Sequence, residues 1–263
     1  MRCFKGENSL NVFNYYKLRR EILTHNGIQF KTLHGFAILR SPSIAYYFSE
    51  WGNNRVYKLS ESWELLDVNT YLQPSYMVGI GSDLYIAGQS HVFKANSNLQ
   101  LINQYDPATS PFYRGVYYNS TCNLIFIAAY NLDHRKIDVF DLNLQLTDSI
   151  STMPYDPWSI VGFNSELYAG TIDGIIIVIV NKIIVKAFNG CGGNSVLVAF
   201  ILFDQFGHLT TVSRNPIDKM YLYSSNGTFI GKSSSAPMDP HYIGFDTKGR
   251  FVLISASKIS IYY

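Results

Sequence analysis

One structural period dominates this amino-acid sequence. Short apolar segments, each opened by a leucine or an aromatic residue, recur along the chain, and they begin at Tyr46, Leu84, Leu124, Leu167, Leu209 and Phe251. Successive first residues are 38, 40, 43, 42 and 42 positions apart. A blade of a β-propeller, which is a four-stranded antiparallel sheet, takes about 40–45 residues. The period therefore predicts six blades around one axis.

The same order of elements recurs around each of these segments. A proline opens most of the units, followed by a short strand, a polar turn, the apolar strand, a third strand, a second turn and a fourth strand; the prolines are Pro74, Pro111, Pro157 and Pro240. Fourth strands are predicted to begin at Trp63, Leu99 and Leu144. A β-sandwich or another β-solenoid also contains many short strands with turn signals between them. Neither of these folds explains six units at a nearly constant period.

The composition agrees with an all-β chain. Hydrophobic residues make up 47% of the 263 residues and aromatic residues 15%, whereas charged residues reach only 15%, against about 25% in an average protein. Aromatic and β-branched residues favour strands, and the residues that favour exposed helix faces are scarce here. Closed β folds of this length often form one domain.

We therefore predict a single propeller domain over residues 1–263. The predicted blades cover residues 30–68, 74–105, 111–150, 157–188, 195–232 and 240–263. The last unit contains three strands, and residues 10–23 read as a third and a fourth strand. The N-terminal strand is expected to complete the last blade, because a closed ring leaves only short, protected sheet edges.

Charge and cysteine usage restrict the function classes only weakly. The net charge is +2, and the densest basic group, Lys17, Arg19 and Arg20, forms no long stripe. The cysteines, Cys3, Cys122 and Cys191, are too widely spaced for a disulfide framework. No apolar run is long enough for a membrane-spanning helix, so no membrane partner is predicted. The start has no apolar signal-peptide core, which favours a cytoplasmic location without establishing it.

Two segments resemble the NHL repeat. Ser49–Leu59 and Asp133–Asp141 both show a loop of small polar residues, then an arginine, then an alternating strand, and Pro74 and Pro157 precede first strands as they do in that family. Leu84–Ala87 is similar to the family's second strand, but Gly88 and Gln89 stand where the family usually has an aspartate. The resemblance implies a six-bladed propeller that serves as a platform for protein or RNA. Structurally related propellers include hydrolases and lyases with a metal in the central channel.

The first strand of each blade is expected to line the channel, so the residues that open these strands are candidates for a binding rim. They are His34, Tyr76, Phe112, Tyr113, Arg114, Trp158, His241 and Tyr242. Aromatic residues and arginine at a concave mouth are typical of binding hot spots. The same aromatic side chains could instead pack between blades. The sequence favours a non-catalytic scaffold that binds a protein or peptide on its rim.

Two alternatives stay open at this point. The first is a metal-dependent hydrolase or lyase with its site in the channel, although the sequence has no complete catalytic motif and no metal-binding motif. A channel calcium ion could be held by carboxylates from different blades, with Asp204 and Asp246 as the best acidic candidates; otherwise no cofactor is predicted. The second alternative is an RNA-binding propeller of the NHL type.

Overall fold

The computed structural model describes residues 18–22, 24–25, 28–109, 111–131, 134–192, 197–204, 206–214, 219–232, 240–255 and 257–262. The chain enters the fold through three short strands, β1 (Leu18–Ile22), β2 (Thr24–His25) and β3 (Ile28–Gln29). Part of the predicted N-terminal segment 10–23, including its first strand at 10–13, lies outside the described residues. Strands β2 and β3 form a small antiparallel pair.

Blades one to three are consecutive four-stranded antiparallel sheets. Blade one consists of β4 (Leu33–Leu39), β5 (Ala45–Glu50), β6 (Arg55–Ser60) and β7 (Leu65–Thr70). Blade two consists of β8 (Pro74–Ile80), β9 (Asp83–Gly88), β10 (Val92–Asn96) and β11 (Leu101–Tyr105). Blade three consists of β12 (Phe112–Asn119), β13 (Leu124–Asn131), β14 (His134–Phe140) and β15 (Leu146–Ser151).

Blades four and five repeat this arrangement, and blade six combines both ends of the described chain. Blade four consists of β16 (Pro157–Phe163), β17 (Glu166–Thr171), β18 (Ile175–Val180) and β19 (Ile183–Asn189). Blade five consists of β20 (Leu197–Phe203), β21 (His208–Arg214), β22 (Lys219–Ser224) and β23 (Phe229–Lys232). Blade six consists of β24 (Pro240–Phe245), β25 (Phe251–Ser255), β26 (Lys258–Tyr262) and the N-terminal β1, which pairs antiparallel with β26.

These sheets form a six-bladed β-propeller, as the sequence period predicts. The first strand of each blade contacts the first strand of the next, and β24 contacts β4, so the ring is closed. Neighbouring first strands run in the same direction, because Gly35 lies beside Ser75 and Gly79 lies beside Ile38. The beginnings of all six first strands therefore meet at one end of the central channel, which we call the channel mouth.

Apolar side chains fill the interfaces between neighbouring blades. Blades six and one, for example, share a cluster that contains Phe36, Tyr46, Trp63, Val252 and Ile261, all nearly or fully buried. Equivalent clusters of described residues join each of the other neighbouring pairs. Because strand residues alternate between two faces, each blade supplies apolar side chains to both of its neighbours.

The turns between third and fourth strands differ from the sequence prediction. Trp63, Leu99 and Leu144 do not begin strands, since each lies in the turn with a positive φ of 67°, 58° and 60°, respectively. Each backbone N–H donates to the carbonyl three residues earlier, and Gly227 occupies the same place in blade five. All three large side chains are buried. An apolar residue beside a strand looks like strand in a sequence pattern, although here it anchors a turn.

The first strands of blades two and six each have a glycine near their end, and these two glycines differ in how closely the neighbouring blade approaches them. A Cβ on Gly79 would lie 2.2 Å from the backbone carbonyl oxygen of Ile38 in the preceding blade. A Cβ on Gly244, at the comparable place in blade six, would have side-chain atoms as its nearest neighbours, with the Tyr242 ring at 3.0 Å and the Phe36 ring at 3.6 Å. We expect Gly79→Ala to lower the free energy of unfolding by about 1–3 kcal/mol, since backbone cannot move aside easily. Urea unfolding followed by circular dichroism measures this loss. Gly244→Ala is the matched control, and an equal loss in both variants would contradict the prediction.

Candidate functional site

The channel mouth is built from residues of several blades. Its narrow recess is lined by His34, Tyr76, Trp158, Ala199, Arg214 and His241. Four of these residues belong to the beginnings of first strands, and Ala199 lies slightly further along β20. Arg214 is the last residue of a second strand, which runs antiparallel to the first and therefore ends at the same mouth.

Tyr76 closes the recess from below. Its hydroxyl crosses the channel and donates to the carbonyl oxygen of Ala199 at 2.6 Å, with the carbonyl of His241 at 3.3 Å. Burial raises the pKa of the Tyr76 hydroxyl to about 12, although Trp158 and the charges of Arg114 and Arg214 act in the opposite direction. The phenol therefore stays protonated at neutral pH and continues to donate this hydrogen bond.

Two histidines form one side of the mouth. The rings of His34 and His241 meet edge to face with centroids 4.7 Å apart, and His34 stacks on Trp51 at 6.1 Å. Nδ1 of His241 lies 2.6 Å from the carbonyl oxygen of Leu33, so this nitrogen carries the proton and donates. Both histidines are buried, with 8% and 3% of their surface exposed. Their orientation is therefore fixed by the fold.

An arginine within a group of aromatic rings forms the other side. Cζ of Arg114 lies 4.8 Å from the ring centroid of Trp158 and 6.0 Å from that of Phe112. Tyr130 stacks on Phe112 and also contacts Trp158, with centroids 5.5 Å apart in both pairs. Phe112, Tyr130 and Trp158 remain partly exposed. We call these three rings the aromatic wall.

Arg114 is buried, and no carboxylate of the described residues pairs with it. Only 6% of its surface is exposed, Nη1 donates to the hydroxyl of Ser75 at 3.2 Å, and Nε has no hydrogen-bond partner. A cation–π contact contributes about 0.5–2 kcal/mol. The penalty for removing an ion from water is several kcal/mol. The aromatic wall therefore offsets only part of the cost of burying this charge.

Six of the eight residues that the sequence singles out come together at the mouth, and two do not. The assembled residues are His34, Tyr76, Phe112, Arg114, Trp158 and His241. Tyr113 is fully buried between blades two and three, where its hydroxyl donates to Asp138 at 3.1 Å. Tyr242 lies deeper in the channel than Tyr76 and packs on Phe200 at 4.2 Å. The Tyr113 side chain points between the blades, whereas that of the adjacent Arg114 lies at the mouth beside Trp158.

Sequence reasoning did not select Trp51, Tyr130 or Arg214. All three lie at or just beyond the ends of second strands: Trp51 follows β5, Tyr130 lies near the end of β13, and Arg214 ends β21. The signal that could have identified them is topological, because a second strand in an antiparallel blade returns to the mouth from which the first strand departs.

The aspartates considered as calcium ligands serve turns instead. Oδ1 of Asp204 accepts the backbone N–H groups of Phe206 and His208, and Oδ1 of Asp246 accepts those of Lys248 and Arg250. Both turns follow first strands and therefore lie at the far end of the channel. Within the described segments, no three His, Cys, Asp or Glu side chains form a group that could hold a metal ion. The described segments also contain no helix long and apolar enough to cross a membrane.

Comparison with known proteins supports the fold alone. No family model matches the chain, and no curated protein matches it in sequence. A solved structure described as the WD40 β-propeller domain of Doa1 superposes with a TM-score of 0.70 at 9% identity, covering 94% of this chain and 97% of that one. The chain is a β-propeller. The specific resemblance to NHL repeats stays a prediction.

A larger cavity of the propeller lies away from the mouth. It has a volume of about 610 Å³ and lies between blades three and four, beside the turns at the far end of the channel. Its walls combine apolar side chains such as Tyr117 and Phe126 with polar ones such as Glu166. Lys182 and Asp148 form an ion pair across the two blades. Size alone would favour this cavity as a ligand site. The mouth contains two buried hydrogen-bond donors for which the described residues offer no partner, Nε1 of Trp51 and Nε of Arg114, so its chemistry is the more specific.

Proposed function

We propose that this propeller is a binding scaffold that recognises a protein or peptide at the channel mouth. The observation that carries the proposal is the aromatic wall with Arg114 behind it. Trp, Tyr and Arg are the residues most enriched in binding hot spots. Their rings provide a large rigid surface with few torsions to immobilise on binding. The three rings are partly exposed at the mouth, so a side chain of a partner can contact them.

The rigidity of the mouth also supports this proposal. Tyr76, His34 and His241 are almost completely buried and hold one another through the contacts described above. A surface that is already ordered loses little conformational entropy when a partner binds. Neither the comparisons nor the described residues favour the RNA alternative.

Trp158→Ala tests the proposal directly. Peptides selected from a random twelve-residue phage library against the folded chain are expected to lose about thirty-fold or more in affinity for this variant, which corresponds to a hot-spot loss of 2 kcal/mol. Isothermal titration calorimetry measures the affinity. The variant is expected to keep a thermal midpoint close to that of the parent, since Trp158 is partly exposed.

Phe206→Ala is the matched control. Phe206 is 75% exposed in the turn between β20 and β21, at the far end of the channel. The Phe206→Ala variant loses a similar exposed aromatic ring while all residues of the channel mouth stay unchanged. Peptides that bind Trp158→Ala as tightly as the parent, or that depend on Phe206 instead, would show that the mouth is not the recognition surface.

A further inference from the structure

The polar side chains of the channel mouth are mostly hydrogen-bond donors. Arg114 and Arg214 carry guanidinium groups, which cannot be deprotonated in proteins. The indole N–H of Trp51 is buried without a hydrogen-bond partner, as is Nε of Arg114. A site with this composition is complementary to an acceptor that carries negative charge.

The nearby carboxylates are engaged elsewhere. Glu50 accepts hydrogen bonds from the hydroxyl of Tyr57 at 2.5 Å and from the backbone N–H of Lys31 at 2.7 Å. These contacts lie on the side of blade one that faces blade six. Asp138 accepts from Tyr113 and Ser149 and pairs with Lys136, and Asp156 pairs with Arg135. No described carboxylate forms an ion pair with Arg114. The buried guanidinium therefore lacks the counterion that would make its burial favourable.

We infer that the channel mouth binds a carboxylate group of the partner, held by the guanidinium of Arg114 beside the aromatic wall. This inference rests on the proposed function and names the chemical group that the partner inserts. A carboxylate is planar and accepts two parallel hydrogen bonds from a guanidinium. Such a planar pair fits beside a guanidinium that lies against aromatic rings. A phosphate group is tetrahedral and therefore needs more space next to the rings. Arg114 keeps 6% of its surface exposed, so the group must be small and must approach past Trp158 and Phe112.

Nuclear magnetic resonance of the full chain labelled with ¹⁵N-arginine tests this inference, with sodium acetate as the probe. The Nε–H signal of Arg114, assigned by its loss in Arg114→Lys, is expected to shift saturably with acetate at constant ionic strength. Acetamide has the same shape without the charge and is expected to leave the signal in place. An Arg114 signal that does not respond to acetate would overturn the inference. The titration itself uses the unmodified protein, and only the assignment requires that Arg114→Lys is folded.

Arg114→Gln and Arg40→Gln form a matched pair for a second measurement. Both remove one positive charge, but Arg40 is exposed and follows β4 at the far end of the channel. We expect acetate to raise the thermal midpoint of the parent and of Arg40→Gln in the same concentration range. We expect no such rise in Arg114→Gln, because a ligand stabilises only the protein that binds it. An equal rise in all three proteins would assign acetate to another site.

The origin of the carboxylate is resolved by short peptides in the same titration. Acetyl-Gly-Glu-Gly-amide presents a side-chain carboxylate, acetyl-Gly-Gly-Gly presents a free C-terminus, and acetyl-Gly-Gln-Gly-amide presents neither. A response to the first or second peptide without a response to the third supports the inference and identifies the source. A response to inorganic phosphate that exceeds the response to acetate at least ten-fold would contradict a carboxylate site.

The inference and the proposed function can fail separately. Selected peptides that require Trp158 but bind Arg114→Gln as tightly as the parent would leave the scaffold function intact and overturn the carboxylate site. Acetate binding at Arg114, together with selected peptides whose affinity does not depend on Trp158, would support the carboxylate site and contradict the proposed recognition surface.

Discussion

Replacing Trp63 by alanine is expected to lower the free energy of unfolding by about 3–5 kcal/mol, as for other buried aromatic residues. Trp63 is 1% exposed and joins blades one and six. Its ring stacks on Tyr46 at 4.4 Å and contacts Phe48 at 5.8 Å, and Arg250 of blade six lies 5.9 Å above it. Truncation leaves a cavity where the first and last blades meet, so the closure of the ring loses its largest side chain. Urea unfolding followed by far-ultraviolet circular dichroism measures the loss.

Trp63→Leu is the control that the chain itself provides. Leu99 and Leu144 occupy the same turn position in blades two and three, with the same positive φ and the same burial. Leucine therefore fits the turn, and only the difference in side-chain volume remains, at roughly 24 cal/mol per Å³ of cavity. We expect a loss of about 1–2 kcal/mol for this variant. A loss as large as that of alanine would mean that the indole stabilises the turn in some way other than by filling space.

Replacing Asp246 by alanine is expected to cost about 3–5 kcal/mol, because it breaks a buried ion pair and leaves one charge unpaired. The Asp246 side chain is fully buried and accepts the N–H groups of Lys248 and Arg250 and Nε of the Arg250 side chain, which is itself only 10% exposed. Thermal and urea unfolding measure the loss. We expect the same loss in calcium-containing and in EDTA-containing buffer, since both carboxylate oxygens are used within the turn. A loss that appears only with calcium would support calcium binding at this carboxylate.

Asp204→Ala separates the turn from the buried charge. Asp204 accepts two backbone N–H groups in the equivalent turn of blade five, but its side-chain partner is His208, whose side chain is 40% exposed. We expect this variant to lose about 1–2 kcal/mol, corresponding to its hydrogen bonds alone. Equal losses for Asp204→Ala and Asp246→Ala would show that the backbone turn, rather than the buried arginine, accounts for the effect.

Several features of the architecture could be predicted from the sequence because they depend on local patterns. The spacing of apolar strands reflects the length of chain that one blade requires, and the polar turns mark where strands reverse. The predicted blades contain the observed strands, although β7, β15 and β19 continue to Thr70, Ser151 and Asn189, slightly beyond the predicted ends. The end residues of these strands are largely polar and exposed, so they give no apolar signal. The completion of the last blade by an N-terminal strand was also predictable, because a three-stranded unit at the end of a ring leaves an open edge.

The candidate site could be predicted only in part. The order of strands placed His34, Tyr76, Trp158 and His241 at one mouth, since every first strand begins there. The sequence did not distinguish Tyr113 from its neighbour Arg114, because which of two adjacent side chains faces the channel depends on the register of the strand. It also did not reveal that Trp51 stacks on His34, a contact between a second strand and a first strand of the same blade.

The sequence by itself determined the number of blades, their order and the end of the channel where the candidate residues gather, since these follow from strand periodicity and turn residues along the chain. The tertiary structure alone decided that Tyr76 spans the channel to the carbonyl of Ala199, 123 residues away, and that Arg114 is buried with no carboxylate of the described segments paired to it. Local preferences fix where strands begin and end. The partner that a side chain finds across the channel depends on the distance and rotation between blades, which no short stretch of sequence encodes.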